Sequence, residues 1–155
     1  MRFLILTISF FFLSLNAFGQ SVESINLKTL EERFKNGKDS TFVVNFWATW
    51  CLPCRKELPV FEKLSKETTD PKLKIILLSL DLPSKQRAVD LFVQKYNLTN
   101  KVYILNENVS GEYLSRIQKG WKGSIPATLI VNEEKNIRRF YSGKVTYSDL
   151  LKNLN

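Results

Sequence analysis

The pair Cys51-Leu52-Pro53-Cys54 holds the only two cysteines of this 155-residue chain, and what lies on either side of it narrows the fold. Thr41 to Trp47 (TFVVNFW) is a nearly continuous apolar run rich in β-formers, the pattern of a strand covered on both faces. A helical pattern follows the pair, with Leu58, Phe61 and Leu64 in register, interrupted at Pro59, where a kink is expected. A two-sided strand running into a helix requires a sheet with helices packed above and below it.

The rest of the chain agrees with that demand. Asn26 is placed to cap a helix carrying Leu27, Leu30 and Phe34 on one face and ending near Gly37. Lys74 to Leu80 reads as a second buried strand. Ser84 is placed to cap a helix to about Tyr96, with Ala88, Val89, Phe92 and Tyr96 at helical spacing. Val102 to Leu105 is a short strand, and Glu112 to Gln118 a short helix. Ala127 to Val131 and Ile137 to Tyr141 form two strands joined by the polar turn Asn132 to Asn136. Gly143 precedes a last helix, roughly Thr146 to Asn153. Alternation ending in a hairpin predicts an α/β fold with a mixed, mainly parallel sheet flanked by helices. No repeat, low-complexity segment or domain linker divides it.

Two cysteines three residues apart constrain too little chain to act as a structural staple; reactivity is the better reason for them. Thiol exchange needs an accessible thiolate. A helix N-terminus supplies unpaired N–H groups and a favourable dipole for one. Cys51 falls there, and Cys54 lies one turn later, within reach of a mixed disulfide. Pro53 suits an early helix position, where a missing N–H goes unnoticed. Arg55 and Lys56 add positive charge nearby or are simply solvated. The chain has no histidine, which removes Cys-His and Ser-His nucleophiles, His-ligated metals and CxxCH haem attachment. A CxxC is also half of a zinc site, but no second pair exists to complete four ligands. Two thiolates could hold Cu(I), with no further soft ligand once Met1 is lost. No metal and no cofactor are expected.

The first nineteen residues differ from the remainder. Arg2, an apolar run from Phe3 to Leu15, and the small residues Ala17 and Gly19 read as a secretory signal cut before Gln20. The alternative is an uncleaved anchor, for which the run falls short of the roughly twenty residues of a membrane span. The expected organisation is therefore a signal at 1–19 and one domain at 20–155, facing an oxidising or external compartment. The net charge of +8, +7 without Arg2, favours acidic surfaces or partners. Lysines spread along the chain do not form a nucleic-acid footprint.

The stretch Val44-Asn45-Phe46-Trp47-Ala48-Thr49-Trp50-Cys51-Leu52-Pro53-Cys54-Arg55-Lys56-Glu57-Leu58-Pro59 resembles the thioredoxin superfamily, and within it the exported TlpA/ResA-type thiol–disulfide oxidoreductases. Gly123-Ser124-Ile125-Pro126-Ala127-Thr128 matches the family's cis-proline loop. The helix and strand from about Ser84 to Leu105 match the insertion that separates TlpA-type domains from plain thioredoxin. The span from Asp81 to Pro126 is independently too long for an unstructured loop. The resemblance implies a thioredoxin-like fold with this helix–strand insertion before the cis-proline loop. It also implies that Cys51 attacks, Cys54 resolves, and Pro126 is cis, holding the Ile125 backbone for an extended substrate chain. An ordinary trans proline at a strand start is the alternative.

Trp50 is expected to shield Cys51, or to be core. Trp121 is a candidate wall of the substrate groove, or a structural tryptophan. Asn45 departs from thioredoxin, which has a buried aspartate there for proton transfer; an amide cannot titrate. Glu57 matches the glutamate that ResA-type proteins place near the pair and is the candidate acid/base, provided that it is buried.

Three functions compete. The first is an exported disulfide reductase, supplied by a membrane-borne thiol electron donor and acting on protein thiols of the periplasm, with apocytochrome c among the targets the resemblance suggests. The second is an oxidant or isomerase. The Leu52-Pro53 dipeptide resembles reductants more, since oxidants typically carry histidine between the cysteines. The third is a non-catalytic Cu(I)- or peptide-binding module. A peroxidase also exists within the superfamily, but no cysteine stands apart from the CxxC to serve one. The oligomeric state is open.

Overall fold

The structure is a computed structural model that describes residues 21–107 and 110–154. The expected signal at 1–19 lies outside the described residues. Within them no helix is long and apolar enough to cross a membrane.

Six strands form one sheet in the order β1-β4-β3-β2-β5-β6. Its centre is β2 (Thr41–Trp47), paired parallel to β3 (Leu73–Ser79) and antiparallel to β5 (Ala127–Asn132). β4 (Lys101–Leu105) lies parallel to β3, and β6 (Ile137–Ser142) closes the other edge antiparallel to β5. Strand β1 (Glu23–Ile25) adds parallel to β4; only three residues long, it carries too little periodicity to be seen in the sequence.

Alternate residues of β2 enter two different cores, as the pleat requires. Val43 and Trp47 meet Leu58, Phe61 and Leu64 of helix α2 (Leu52–Glu67), Val89 and Val93 of α3 (Gln86–Lys95), and Leu150 of α5 (Tyr147–Leu154). Val44 and Phe46 meet Leu27, Leu30 and Phe34 of α1 (Leu27–Asn36), together with Leu114 and Trp121. Burying a side chain such as Leu30 or Phe34 contributes about 1.5–3 kcal/mol. Asn26 does cap α1, accepting from the Thr29 N–H at 2.8 Å, and Gly37 ends it.

Two helical expectations shift. Ser84 caps nothing: Pro83–Lys85 is a short 3₁₀ turn, and α3 begins only at Gln86, without a side-chain cap. Its buried residues are Val89 and Val93, whereas Ala88 and Tyr96 face solvent. Lys85, with φ −98° and ψ 10°, is the residue at the helix's edge. The helix expected over Glu112 to Gln118 is a single turn, α4 (Gly111–Leu114), capped by Ser110 and followed by further turns. Helix α2 runs through Pro59 as one element, giving up only the bond that residue would have sent to the Arg55 carbonyl.

The α3–β4 unit is the insertion the resemblance implies, and it is joined firmly to the rest. Glu62 of α2 accepts four hydrogen bonds from the turn ahead of β4, two from Thr99 and two from Asn100. Arg55 of α2 donates to the Tyr96 hydroxyl at 2.7 Å and lies over the Phe92 and Tyr96 rings.

Candidate active site

A strand buried on both faces stops at Trp47, and the chain turns at once. The Cys51 N–H donates to the Ala48 carbonyl at 3.1 Å, so Ala48 to Cys51 form a closed turn with Thr49 and Trp50 in the middle. Cys51 then caps α2. Its sulfur accepts from the Cys54 N–H at 3.3 Å, and no acidic residue stands in the helix's first turn. Both features favour negative charge on that sulfur when the pair is reduced. Cys51 and Cys54 are joined by a disulfide. Cys51 is 5% exposed and Cys54 fully buried, so Cys51 is the one of the pair that retains any surface.

The second half of the site arrives from far along the chain. The Ile125–Pro126 peptide is cis, and the Ile125 carbonyl oxygen stands 3.9 Å from the Cys51 sulfur. Gly123 lets the chain enter this loop. Its φ is +91°, and a Cβ there would lie 2.6 Å from Leu114 Cδ1. Beside the cysteines is a cleft of about 330 Å³ whose lining includes Trp50, Leu82, Leu114, Lys122 and Ile125. Neither this cleft nor a larger one of about 440 Å³ between α2 and α3 is lined by a cysteine, but the smaller one takes in Trp50 and Ile125, which flank Cys51. Pro53 is exposed on the first turn of α2 and is not among the residues lining the smaller cleft.

Trp50 is 71% exposed, which removes the reading of it as core. Trp121 is placed otherwise than a groove wall would be. It is 5% exposed, its ring tilted at 56° against those of Phe46 at 4.8 Å and Phe140 at 5.2 Å. Its indole N–H donates to the Ser124 carbonyl at 2.9 Å. It supports the proline loop from beneath, because the second core absorbs its ring.

Glu57 lies on the buried face of α2, one turn beyond Cys54, and is 3% exposed. Asn45 of β2 donates to its Oε2 at 3.0 Å, and the Val145 N–H donates to its Oε1. Burial pushes its carboxyl above the ordinary 4.5, against the lowering pull of those two donors and of Lys144. The Asn45 amide also approaches the Ala127 carbonyl at 3.3 Å and Thr128 Oγ1 at 3.4 Å. Asn45 therefore joins the carboxyl to the strand that follows the proline loop.

The sequence reading missed Asp81. It is buried just past β3, and its carboxylate accepts from the Thr49 N–H, the Thr49 hydroxyl and the Ser79 hydroxyl. The only trace in the sequence is an acid directly after an apolar run, which says nothing of what it faces.

A sheet of this order, a Cys51–Cys54 disulfide at a helix N-terminus and a cis-proline loop across from it define a thioredoxin-like thiol–disulfide oxidoreductase. Residues 14–140 match the AhpC/TSA family, and the chain belongs to it. Among curated relatives, the thioredoxin-like protein YneN of Bacillus subtilis is 32% identical over 136 residues, covering 85% of this chain and 75% of that protein. The thiol-disulfide oxidoreductase ResA of Oceanobacillus iheyensis is 29% identical over 132 residues, 84% of this chain and 63% of that protein. Among solved structures, StoA from Bacillus subtilis aligns with a TM-score of 0.60 at 25% identity, over 76% of this chain and 84% of that one. A thioredoxin-related protein from Neisseria meningitidis serogroup B aligns with a TM-score of 0.65 at 23% identity and the same two coverages.

Proposed function

We propose that the protein is an exported disulfide reductase acting on protein thiols, with Cys51 as nucleophile and Cys54 as resolving thiol. The observation that supports the assignment of roles is their unequal exposure at one helix end: Cys51 keeps a little surface, and Cys54 has none. In the reduced protein the Cys51 thiolate attacks one sulfur of a substrate disulfide. A mixed disulfide forms and the other substrate sulfur leaves as a thiolate. Cys54, deprotonated, then attacks the Cys51 sulfur. The Cys51–Cys54 disulfide closes, the substrate departs as a dithiol, and two electrons have passed to it. Glu57 is the group we assign to take the Cys54 proton; a raised carboxyl pKa suits a base working near neutrality. The disulfide left behind needs a thiol donor to reopen it, and a membrane-borne dithiol carrier fits an exported domain.

The extended substrate segment would run beside Ile125 and Pro126, bonded through the backbone, with Trp50 and the adjoining cleft taking its apolar side chains. Pro53 would present its exposed ring to the same segment from the helix side. The direction of electron flow rests on the Leu52-Pro53 dipeptide, which resembles that of reductants. Apocytochrome c is one substrate class this reading admits, on the TlpA/ResA-type resemblance of the residues around the cysteines.

The deciding experiment is the equilibrium reduction potential of the Cys51–Cys54 pair, titrated against glutathione and dithiothreitol. A value near about −270 mV places the protein with reductants, and one near about −120 mV makes it an oxidant and reverses the proposed direction. Stoichiometric Cu(I) binding without catalysed insulin reduction would replace exchange with a binding role.

A further inference from the structure

Asp81 stands where β3 has ended and the inserted segment leaves the sheet. It is 3% exposed, and among the described residues no basic side chain pairs with it. Its charge is met by hydrogen bonds alone. Oδ2 accepts from the Thr49 N–H at 2.8 Å and from the Ser79 hydroxyl at 2.7 Å, and Oδ1 accepts from the Thr49 hydroxyl at 2.7 Å. Its own N–H returns to Ser79 Oγ at 3.1 Å, which fixes the side chain's direction. One residue earlier the Leu80 N–H donates to the Trp47 carbonyl at 2.8 Å, holding the base of the same turn to β3.

Thr49 is a central residue of the turn that delivers Cys51. That turn is closed internally by one bond, from the Cys51 N–H to Ala48. Both polar groups of Thr49 end on Asp81. Leu82, which follows Asp81 directly, lines the same cleft as Trp50. One carboxylate thus links the turn bearing Trp50 and Cys51 to the segment that forms the far side of the cleft.

We propose that Asp81 is a positioning residue for Cys51: its carboxylate clamps the Ala48–Cys51 turn and keeps the Cys51 sulfur at the first-turn amides of α2 and facing the Ile125 carbonyl. This rests on reading Cys51 as the nucleophile.

The test is the single-turnover rate at which the reduced full-length protein forms a mixed disulfide with a cysteine-containing peptide disulfide. It is measured on the high-pH plateau, where Cys51 is all thiolate, so that placement and not acidity is read. Asp81→Ala should lose at least tenfold. Asp81→Asn should stay within about threefold of the parent, because an amide oxygen in the place of Oδ2 still accepts from the Thr49 N–H and the Ser79 hydroxyl, and the Thr49 hydroxyl can turn to accept from the NH₂ in the place of Oδ1. A folded Asp81→Ala that reacts within twofold of the parent overturns the proposal, as does an Asp81→Asn as slow as the alanine variant. Should Asp81→Ala fail to fold, Thr49→Val decides, since it loses only the hydroxyl: a three- to fivefold loss supports the clamp and an unchanged rate overturns it. A parent protein no faster than a simple free thiol would defeat the nucleophile assignment itself, whatever the variants do.

Discussion

Glu57 and Glu62 lie on the same helix and both lose solvent on folding, yet their carboxyls move in opposite directions. Burial pushes Glu57 above the ordinary 4.5, against two hydrogen-bond donors, the Val145 N–H and the Asn45 amide, and the charge of Lys144. Burial acts on Glu62 as well, but the hydroxyl and N–H of Thr99 and the N–H and amide of Asn100 outweigh it and hold the carboxyl below 4.5. The number of donors aimed at each, weighed against its desolvation, decides which carboxyl is lifted and which is lowered. Residue type and helix are the same in both, so neither explains the difference.

The largest effect expected from breaking this contrast is on catalysis. Glu57→Gln should lower the rate of disulfide resolution by on the order of 100-fold at neutral pH and flatten its pH dependence, read by stopped-flow fluorescence of the reduced protein with insulin. Glu62→Gln should leave that rate within about twofold, since its partners face the insertion and not the cysteines. Equal losses in the two variants would remove the distinction. Asn45→Asp sharpens it from the other side. A second carboxylate would stand where the Asn45 amide now donates to Glu57 at 3.0 Å. The pair should share a proton and move the acid limb of the rate profile upward by about one unit or more.

Stability should separate them next. A value raised on folding means the folded protein holds that proton more firmly. The contribution of Glu57 is therefore full below 4.5 and is lost as pH rises through the raised value. For Glu62 the contribution is present above 4.5 and is lost as pH falls through the lowered value. Thermal unfolding from about pH 3 to 8 should show Glu57→Gln gaining on its parent toward the neutral end. Glu62→Gln should lose about 1–3 kcal/mol there and converge with the parent in acid. The smallest effect is that of Thr99→Val, which removes one of the four donors and should cost about 1 kcal/mol in urea unfolding at neutral pH. A variant as stable as the parent would show that the remaining three donors already satisfy the carboxylate.

How much of this was legible beforehand follows from the range of each interaction. The α1 cap at Asn26, strand β2, the cysteine pair at the start of α2 and the β5–β6 hairpin depend on neighbours a few residues away, and pattern reading reaches them. The start of α3 is also local, but the short 3₁₀ turn Pro83–Lys85 ahead of it leaves no pattern that distinguishes it from a capped helix start at Ser84. Strand β1 exists only because β4 offers it an edge, and the single turn of α4 only because Leu114 has a core to enter. Glu57 could be picked out as a candidate by its place after the cysteines, but its burial depends on Val145 and Asn45. Trp121 had two readings of equal standing in the sequence, and Phe46 and Phe140 chose between them.

The amino-acid sequence by itself determined that this chain builds a two-faced sheet with a reactive pair of cysteines at the head of a helix, because apolar period, caps and a close cysteine pair are written in adjacent residues. Which sulfur is exposed, which carboxyl is lifted and which acid grips the turn ahead of Cys51 were decided only by the tertiary structure. Desolvation and hydrogen bonding act through space, and Ile125, Val145 and Asp81 reach the site from parts of the chain far from the cysteines.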